Sequence, residues 1–326
     1  MNARIASKSA VPAASRWKRL GRSLRAWVDS GRPDPDGLPP ETEVQRVEWA
    51  RILPFVLLHG GCLAVIWVGW SPVAVAVAGG LYLVRMFALT GLYHRYFSHR
   101  AFKTSRPMQL IFAILGNSAV QRGPLWWPAH HRKHHRHADE PQDVHSPVQH
   151  SFLWSHMGWV TSRANFATDL KQVPDLARFP ELRFLDRFNV IVPLLLALGL
   201  YFTGDLLAST APALGTSGWQ LVVWGFFIST TALFHVSVSI NSIAHLIGSR
   251  RYETKDQSRN NWWLALLTLG EGWHNNHHHY PAAMRQGHRW WEIDVTAYVL
   301  RFLALLGLIW DLKPVPDRIL AQRSRA

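Results

Sequence analysis

Residues 72–99 read PVAVAVAGGLYLVRMFALTGLYHRYFSH, and this stretch decides the fold. Pro72 to about Thr90 is long and apolar enough to cross a bilayer core that needs ~20 residues of helix. The run then leads directly into His94 and His99, so a membrane span delivers imidazoles to its own end. Arg85 falls inside it. The helix is therefore expected to leave the hydrocarbon near Val84 and continue as a rigid rod into water, where the guanidinium snorkels.

Three further runs have the same character, which predicts spans at about 52–70, 72–90, 190–209 and 219–238. The composition agrees: 48% hydrophobic residues, 17 Trp and only 17% charged residues point to a membrane protein rather than a soluble domain. The connections near Ser71 and from Ser209 to Gly218 hold no Lys or Arg. Basic residues gather instead in 1–51, 95–187 and 250–326. By the orientation rule this predicts two hairpins in the cytoplasmic membrane, with both termini and every histidine cluster in the cytoplasm. The net charge of +14 is accounted for by basic segments lying on anionic lipid, so no nucleic acid partner is expected. The single cysteine, Cys62, excludes a disulfide within one chain.

Residues 1–46 read as a mobile basic tail, 47–315 as the membrane domain and 316–326 as a C-terminal tail. Within the first tail, Arg16 to Val28 fits a basic amphipathic helix with Trp17, Leu20, Leu24 and Trp27 near one stripe. Residues 295–309 place Val295, Val299, Phe302 and Leu306 at helical spacing behind Asp294, a suitable N-cap. Arg301 interrupts that run and it is short, so it reads as an interfacial helix rather than a span.

Nine histidines concentrate in boxes: His94-x4-His99, His131-x2-His134-His135, Asn241-x3-His245 and His274-x2-His277-His278. In a helix, residues at i, i+3 and i+4 share a face, so each HxxHH aims imidazoles at one place. One isolated HxxHH is a common accident of basic surface helices. Repeated boxes at the ends of apolar spans are not, and so many nitrogen ligands without thiolate suit two ions of iron, zinc or copper rather than magnesium or calcium. His94 and His99, ~140° apart on an ideal helix, either serve different ions or sit where the helix ends. The other nine, among them His130, His150, His279 and His288, read as packing, surface or supporting residues.

The segments His94-Arg-Tyr-Phe-Ser-His99, His131-Arg-Lys-His134-His135, Asn241-Ser-Ile-Ala-His245 and Gly270-Glu-Gly-Trp-His274-Asn-Asn-His277-His278-His-Tyr-Pro281 resemble those of membrane acyl-CoA desaturases of the stearoyl-CoA delta-9 type. Trp291-Glu-Ile-Asp294 and Gly307-Leu-Ile-Trp-Asp-Leu-Lys313 extend the likeness across roughly residues 50–315. What the resemblance implies is an all-α, four-span membrane protein whose cytosolic helical cap holds two iron ions. Its implied ligands are His94, His99, His131, His134, His135, His245, His274, His277 and His278, with Asn241 acting through water. The implied reaction consumes O2 and places a cis double bond, at delta-9, in a saturated long-chain acyl thioester.

A substrate tunnel is expected to be lined by aromatic side chains, with Trp126, Trp127, Trp262, Trp263 and Trp273 as candidates. By the same likeness Ala78 and Tyr82, three to four turns before His94, close its far end. The chain departs from vertebrate relatives just before the second box, where it has Ala129-His130 in place of a basic–acidic pair that meets coenzyme A. The acyl carrier thus stays open between coenzyme A, an acyl carrier protein and a lipid, with Arg122, Lys133, Arg136 and Arg259 available to an anionic one. Electrons are expected from a separate carrier protein and reductase. Two other readings compete. A di-iron hydroxylase of fatty acids, alkanes or sterols shares the metal chemistry, whereas a metal transporter should place its ligands at the bilayer midplane, away from the span ends.

Overall fold

The computed structural model describes residues 16–31 and 47–322, and these are mostly helical. Four helices are long and apolar enough to cross a membrane: Arg51–Val68, Pro72–Ser98, Ile191–Thr210 and Gly218–His245. Within an apolar 18-residue stretch of each, half of the fourth and 39% of the second are buried, against 11% of the first and 17% of the third. The second and fourth therefore form the centre, and the outer two present most of their side chains outward. Local chemistry sets the ends. Ser71 accepts from Ala74 N (3.1 Å) ahead of Pro72, which suits the first helical turn. The first span stops at Gly69, whose φ of 64° favours glycine. Val68 O and Gly69 O at this end accept from Gln220 and Trp224 of the fourth span, both at 2.9 Å, which pairs two acceptors that the helix itself leaves open. A side chain at Gly204 would meet Ser217 O at 2.5 Å, so glycine lets the third span approach the start of the fourth.

The second and fourth spans outrun the expected ends at Thr90 and Val238 and carry the chain straight to His99 and His245. Part of the second, Ala88–Ser98, is π-helical. Bonding from i to i+5 brings residues five apart onto one side, as in the bond from His99 N to His94 O (3.2 Å).

Arg85 does not snorkel. It is 1% exposed and donates to Thr230 Oγ1 (2.6 Å), Ser229 Oγ (2.7 Å), Gly225 O (3.2 Å) and Leu81 O (3.1 Å). A guanidinium has five N–H donors, and the fourth span supplies enough oxygen to satisfy it without water. Arg85→Met should therefore strand these acceptors in a dry interface and cost about 3 kcal/mol. A lowered unfolding midpoint in detergent is the expected result, and an unchanged one would mean that the cage contributes nothing to stability.

At the histidine end lie α1 (Arg16–Val28), α2 (Arg106–Asn117), α3 (Trp126–His137), α4 (His274–His279) and α5 (Val295–Leu305). The expected tail is helical and docked over its described part: Arg187 pairs with Asp29 (2.7 Å), and Ser23 donates to Glu48 (2.6 Å). Trp27 meets Phe55 and Phe166 edge-on. Residues 1–15, 32–46 and 323–326, and the side chains of Trp17 and Leu20, lie outside the described set. Helix α5 begins at the expected cap, with Asp294 accepting from Ala297 N (2.9 Å). It ends four residues early, because Gly307 at φ 71° turns the chain into a short strand, β2 (Ile309–Trp310), paired antiparallel with β1 (Lys103–Thr104).

Candidate metal centre

The nine box histidines form two groups, in each of which one nitrogen per residue lies within 4.8 Å of all the others. The first holds His94, His99, His131, His135 and His277. The second holds His134, His245, His274 and His278. Helical spacing explains the division: His131 and His135 are one turn apart on α3, as are His274 and His278 on α4, while His134 and His277 project from the neighbouring strip of each helix. The π-helical turn resolves the alternative left by the sequence, since His94 and His99 both enter the first group at the end of their helix.

In each group the Nε2 atoms point inward. Separations are 3.0 Å from His94 to His277, 2.9 Å from His277 to His135 and 2.8 Å from His99 to His131. In the second group they are 3.1 Å from His245 to His274 and 3.4 Å from His134 to His278. The two groups touch through the rings of His135 and His278, whose centroids are 4.5 Å apart.

Four carboxylates hold the outer nitrogens. Nδ1 of His134 meets Asp143 (2.9 Å), Nδ1 of His245 meets Asp139 (2.8 Å), Nδ1 of His278 meets Asp256 (2.9 Å) and Nδ1 of His94 meets Glu271 (2.5 Å). Such a partner fixes the tautomer, keeps the Nε2 lone pair inward and raises its basicity. Sequence reasoning missed all four. Glu271 sits inside the last box, and Asp139 and Asp143 follow the second box within eight residues, which was signal enough; Asp256, in a loop, carried none.

Burial, and then the crowding of other imidazoles, holds His99, His131, His135, His274 and His277 well below their ordinary pKa. Burial likewise takes His278 down to about 4 despite Asp256. For His134, burial is outweighed by Asp143, and its pKa rises. Against the burial that opposes it, His134 keeps Asp143 well below the usual carboxylate range, as His278 does Asp256. Neutral imidazoles with convergent lone pairs, backed by ionised carboxylates, fit two nitrogen-ligated cations.

A stability prediction follows for the metal-free chain. The five depressed histidines stay neutral when folded, whereas in the unfolded chain they take up protons below about pH 6.5. The unfolded state then binds more protons, so stability should fall as pH drops from about 6.5. Unfolding midpoints measured from pH 8 to pH 5 test this, and a flat profile would contradict it.

Asn241 makes no direct hydrogen bond to these imidazoles among the described residues. Its carbonyl accepts from Ser155 Oγ (3.2 Å), and it lines a cavity beside the clusters. His94, His131, His134 and His274 form one wall of that cavity; Trp126, Trp127 and Phe234 line it as well. Gln121 Nε2 donates to Ser237 Oγ (2.5 Å), tying the α2–α3 loop to the fourth span at the wall. Along the second span the lining descends from His94 through Thr90 and Leu89 to Met86. Trp262, Trp263, Trp273, Ala78 and Tyr82 are not among its lining residues. Trp262 is 66% exposed, Ala78 gives its carbonyl to Ser229 (2.8 Å), and Tyr82 donates to Leu267 O (2.8 Å). Of the four basic candidates, Arg122 alone lines the cavity.

Of the remaining histidines, His145 packs on His134 (ring centroids 4.5 Å apart) and shares Asp143 with it, and His130 lines the cavity. His279 stacks on Tyr252, and Tyr252 also meets His288 Nδ1 (3.0 Å). His150 meets Asp143 O (3.1 Å), and His137 meets Glu140 (3.1 Å) at the surface.

A sequence profile of fatty acid desaturases matches residues 47–309. The chain belongs to the fatty acid desaturase family. It is 38% identical over 257 residues to the chloroplastic palmitoyl-monogalactosyldiacylglycerol delta-7 desaturase of Arabidopsis thaliana, covering 77% of this chain and 64% of that protein, a little under two thirds of the relative's length. It is 35% identical over 271 residues to the sn-1 stearoyl-lipid 9-desaturase of Anabaena variabilis, covering 82% of this chain and 94% of the relative. It is 34% identical over 296 residues to the acyl-CoA 5-desaturase of Anemone leveillei, covering 86% of this chain and 89% of the relative, so the relatives differ in both carrier and position. The names of these relatives include both lipid-linked and coenzyme A-linked desaturases.

Proposed function

We propose that this desaturase uses two iron ions, O2 and external electrons to place a cis double bond at delta-9 of a long saturated acyl chain that is esterified to a membrane lipid. The supporting observation is the placement of two convergent histidine groups in the wall of an aromatic-lined cavity. Iron held by His94, His99, His131, His135 and His277, and by His134, His245, His274 and His278, would supply the reductive activation of O2 and the hydrogen removal that no side chain can perform. The chain's own task is position. Trp127 stacks on His131 (centroids 5.0 Å apart) and meets His94 (5.9 Å), so its indole sets how close a methylene comes to those imidazoles. A lateral error of about 1 Å changes which carbon reacts. The bond from Gln121 to Ser237 crosses the wall and keeps the α2–α3 loop from spreading.

Lipid-linked relatives acting at the ninth carbon support the carrier and the position. The cavity also reaches Trp27 and Phe55, where α1 meets the first span, and an acyl chain already in the bilayer would enter from that side. Electrons would come from a separate carrier protein and reductase that dock at the histidine end, on the cytoplasmic side. Expression in a desaturase-deficient host, with gas chromatography and mass spectrometry of its fatty acids, tests the reading. New delta-9 monoenes are expected; hydroxylated chains would assign the oxygenase alternative instead. Vesicles holding labelled stearoyl phospholipid or labelled stearoyl-CoA then separate the lipid-linked carrier from the thioester carrier that the likeness to acyl-CoA desaturases implies.

A further inference from the structure

Three consecutive side chains, Val120, Gln121 and Arg122, line the cavity from the loop between α2 and α3. The backbone that aims them is strained: φ is 61° at Val120 and 69° at Arg122. Positive φ is a marked exception for a β-branched residue, and such strain persists where surrounding structure enforces it. Here Asn117 Nδ2 donates to Arg122 O (3.0 Å), while Asp186 accepts from Leu125 N and Trp126 N.

Arg122 is 9% exposed, and only one of its nitrogens is used. One Nη donates to Phe166 O (2.5 Å); Nε and the other Nη are buried and meet no acceptor among the described residues. Around it are rings: its guanidinium carbon lies 3.7 Å from the Phe166 centroid, 5.5 Å from Trp27 and 5.4 Å from Trp126. Arg51 shares the Phe166 ring at 4.0 Å and is itself paired with Glu48. Asp186 is the acidic group whose field reaches Arg122, but its oxygens are taken by backbone N–H groups and Thr168. Rings offer a cation their faces, not lone pairs, so they leave the two N–H groups unsatisfied. Burial accordingly lowers this guanidinium to about 9.

We propose that Arg122 is a positioning residue that receives the carbonyl oxygen joining the acyl chain to its carrier, and so sets the distance from that carbonyl to the histidine groups. The assignment rests on the desaturase reading and deepens it. A carbonyl oxygen is the acceptor that ester and thioester substrates share, and the aromatic surroundings admit the apolar chain on either side of it. From Arg122 the cavity wall runs past Trp126 and Trp127 to His131, so a chain hooked at the guanidinium passes both indoles before it reaches the clusters.

Competition for bound tritiated palmitate on the purified protein, without turnover, tests the hook. In the native protein methyl palmitate should compete at least about tenfold better than 1-chlorohexadecane, which lacks a carbonyl, because a buried bond to a charged donor is worth that much. Arg122→Gln should erase the difference while leaving the chlorohexadecane value unchanged, and Arg122→Lys should restore part of it. Equal competition by the two probes in the native protein would overturn the proposal even if the variants fail to fold. A second readout is positional. In a host that shows desaturation, Arg122→Gln should scatter the double bond over neighbouring carbons and raise KM more than it lowers kcat. Unchanged positions and KM would refute the hook while the desaturase reading stands; a retained carbonyl preference without any desaturation would do the reverse.

Discussion

Alanine at His277 or His135 is expected to lower desaturation by more than about 100-fold and to remove bound iron, while His137→Ala leaves both near native values. His277 Nε2 approaches both His94 (3.0 Å) and His135 (2.9 Å), which makes it a node of the five-histidine group. Its loss empties a position that no neighbour refills. His137 belongs to the same helix as His135 but faces Glu140 at the surface, so it controls for general damage to α3. Asp256→Asn gives an intermediate case: His278 keeps its place, its orienting carboxylate is gone, and metal affinity should fall about 10–100-fold. Iron per chain measured by mass spectrometry, beside the fatty acid profile at matched protein abundance, reads all four variants. Equal losses in His137→Ala and His277→Ala would sink the assignment of ligands.

The spans and the histidine boxes were legible because both are local patterns. An apolar run of bilayer length, or three imidazoles on one helical turn, is read within a single segment. The contacts that complete them are not local. The cage around Arg85 needs Ser229 and Thr230 from 144 and 145 residues away, and without them a snorkelling arginine was the cheaper reading. The same holds for the orienting carboxylates: Asp139 and Asp256 became partners of His245 and His278 only when the fourth span and the loop after it closed over α3. A π-helical turn, for its part, has no sequence period of its own, so only the fold places His94 and His99 together.

The far end of the cavity gives the second large effect: Met86→Trp should abolish products from C18 chains and leave shorter chains reactive. Met86 lies eight residues before His94, roughly 12 Å along a helix, and it is the deepest lining residue on the second span. Directly beside it Arg85 ties the second span to the fourth through Ser229 and Thr230, and one turn further Tyr82 ties it to Leu267 O. Those polar contacts lie beyond Met86 and tie the second span to its neighbours there. The sequence likeness instead puts the end at Tyr82 and Ala78, roughly a turn or two deeper, so the two placements make opposite forecasts. If Met86 is the floor, an indole there removes room for several methylenes, each worth ~1–3 kcal/mol of discrimination, and Tyr82→Ala leaves the product lengths unchanged. If the floor is at Tyr82, Tyr82→Ala lengthens the products. A host fed C14 to C20 fatty acids, with products separated by chain length for both variants, decides between them; native lengths from Met86→Trp would remove Met86 from the acyl path altogether.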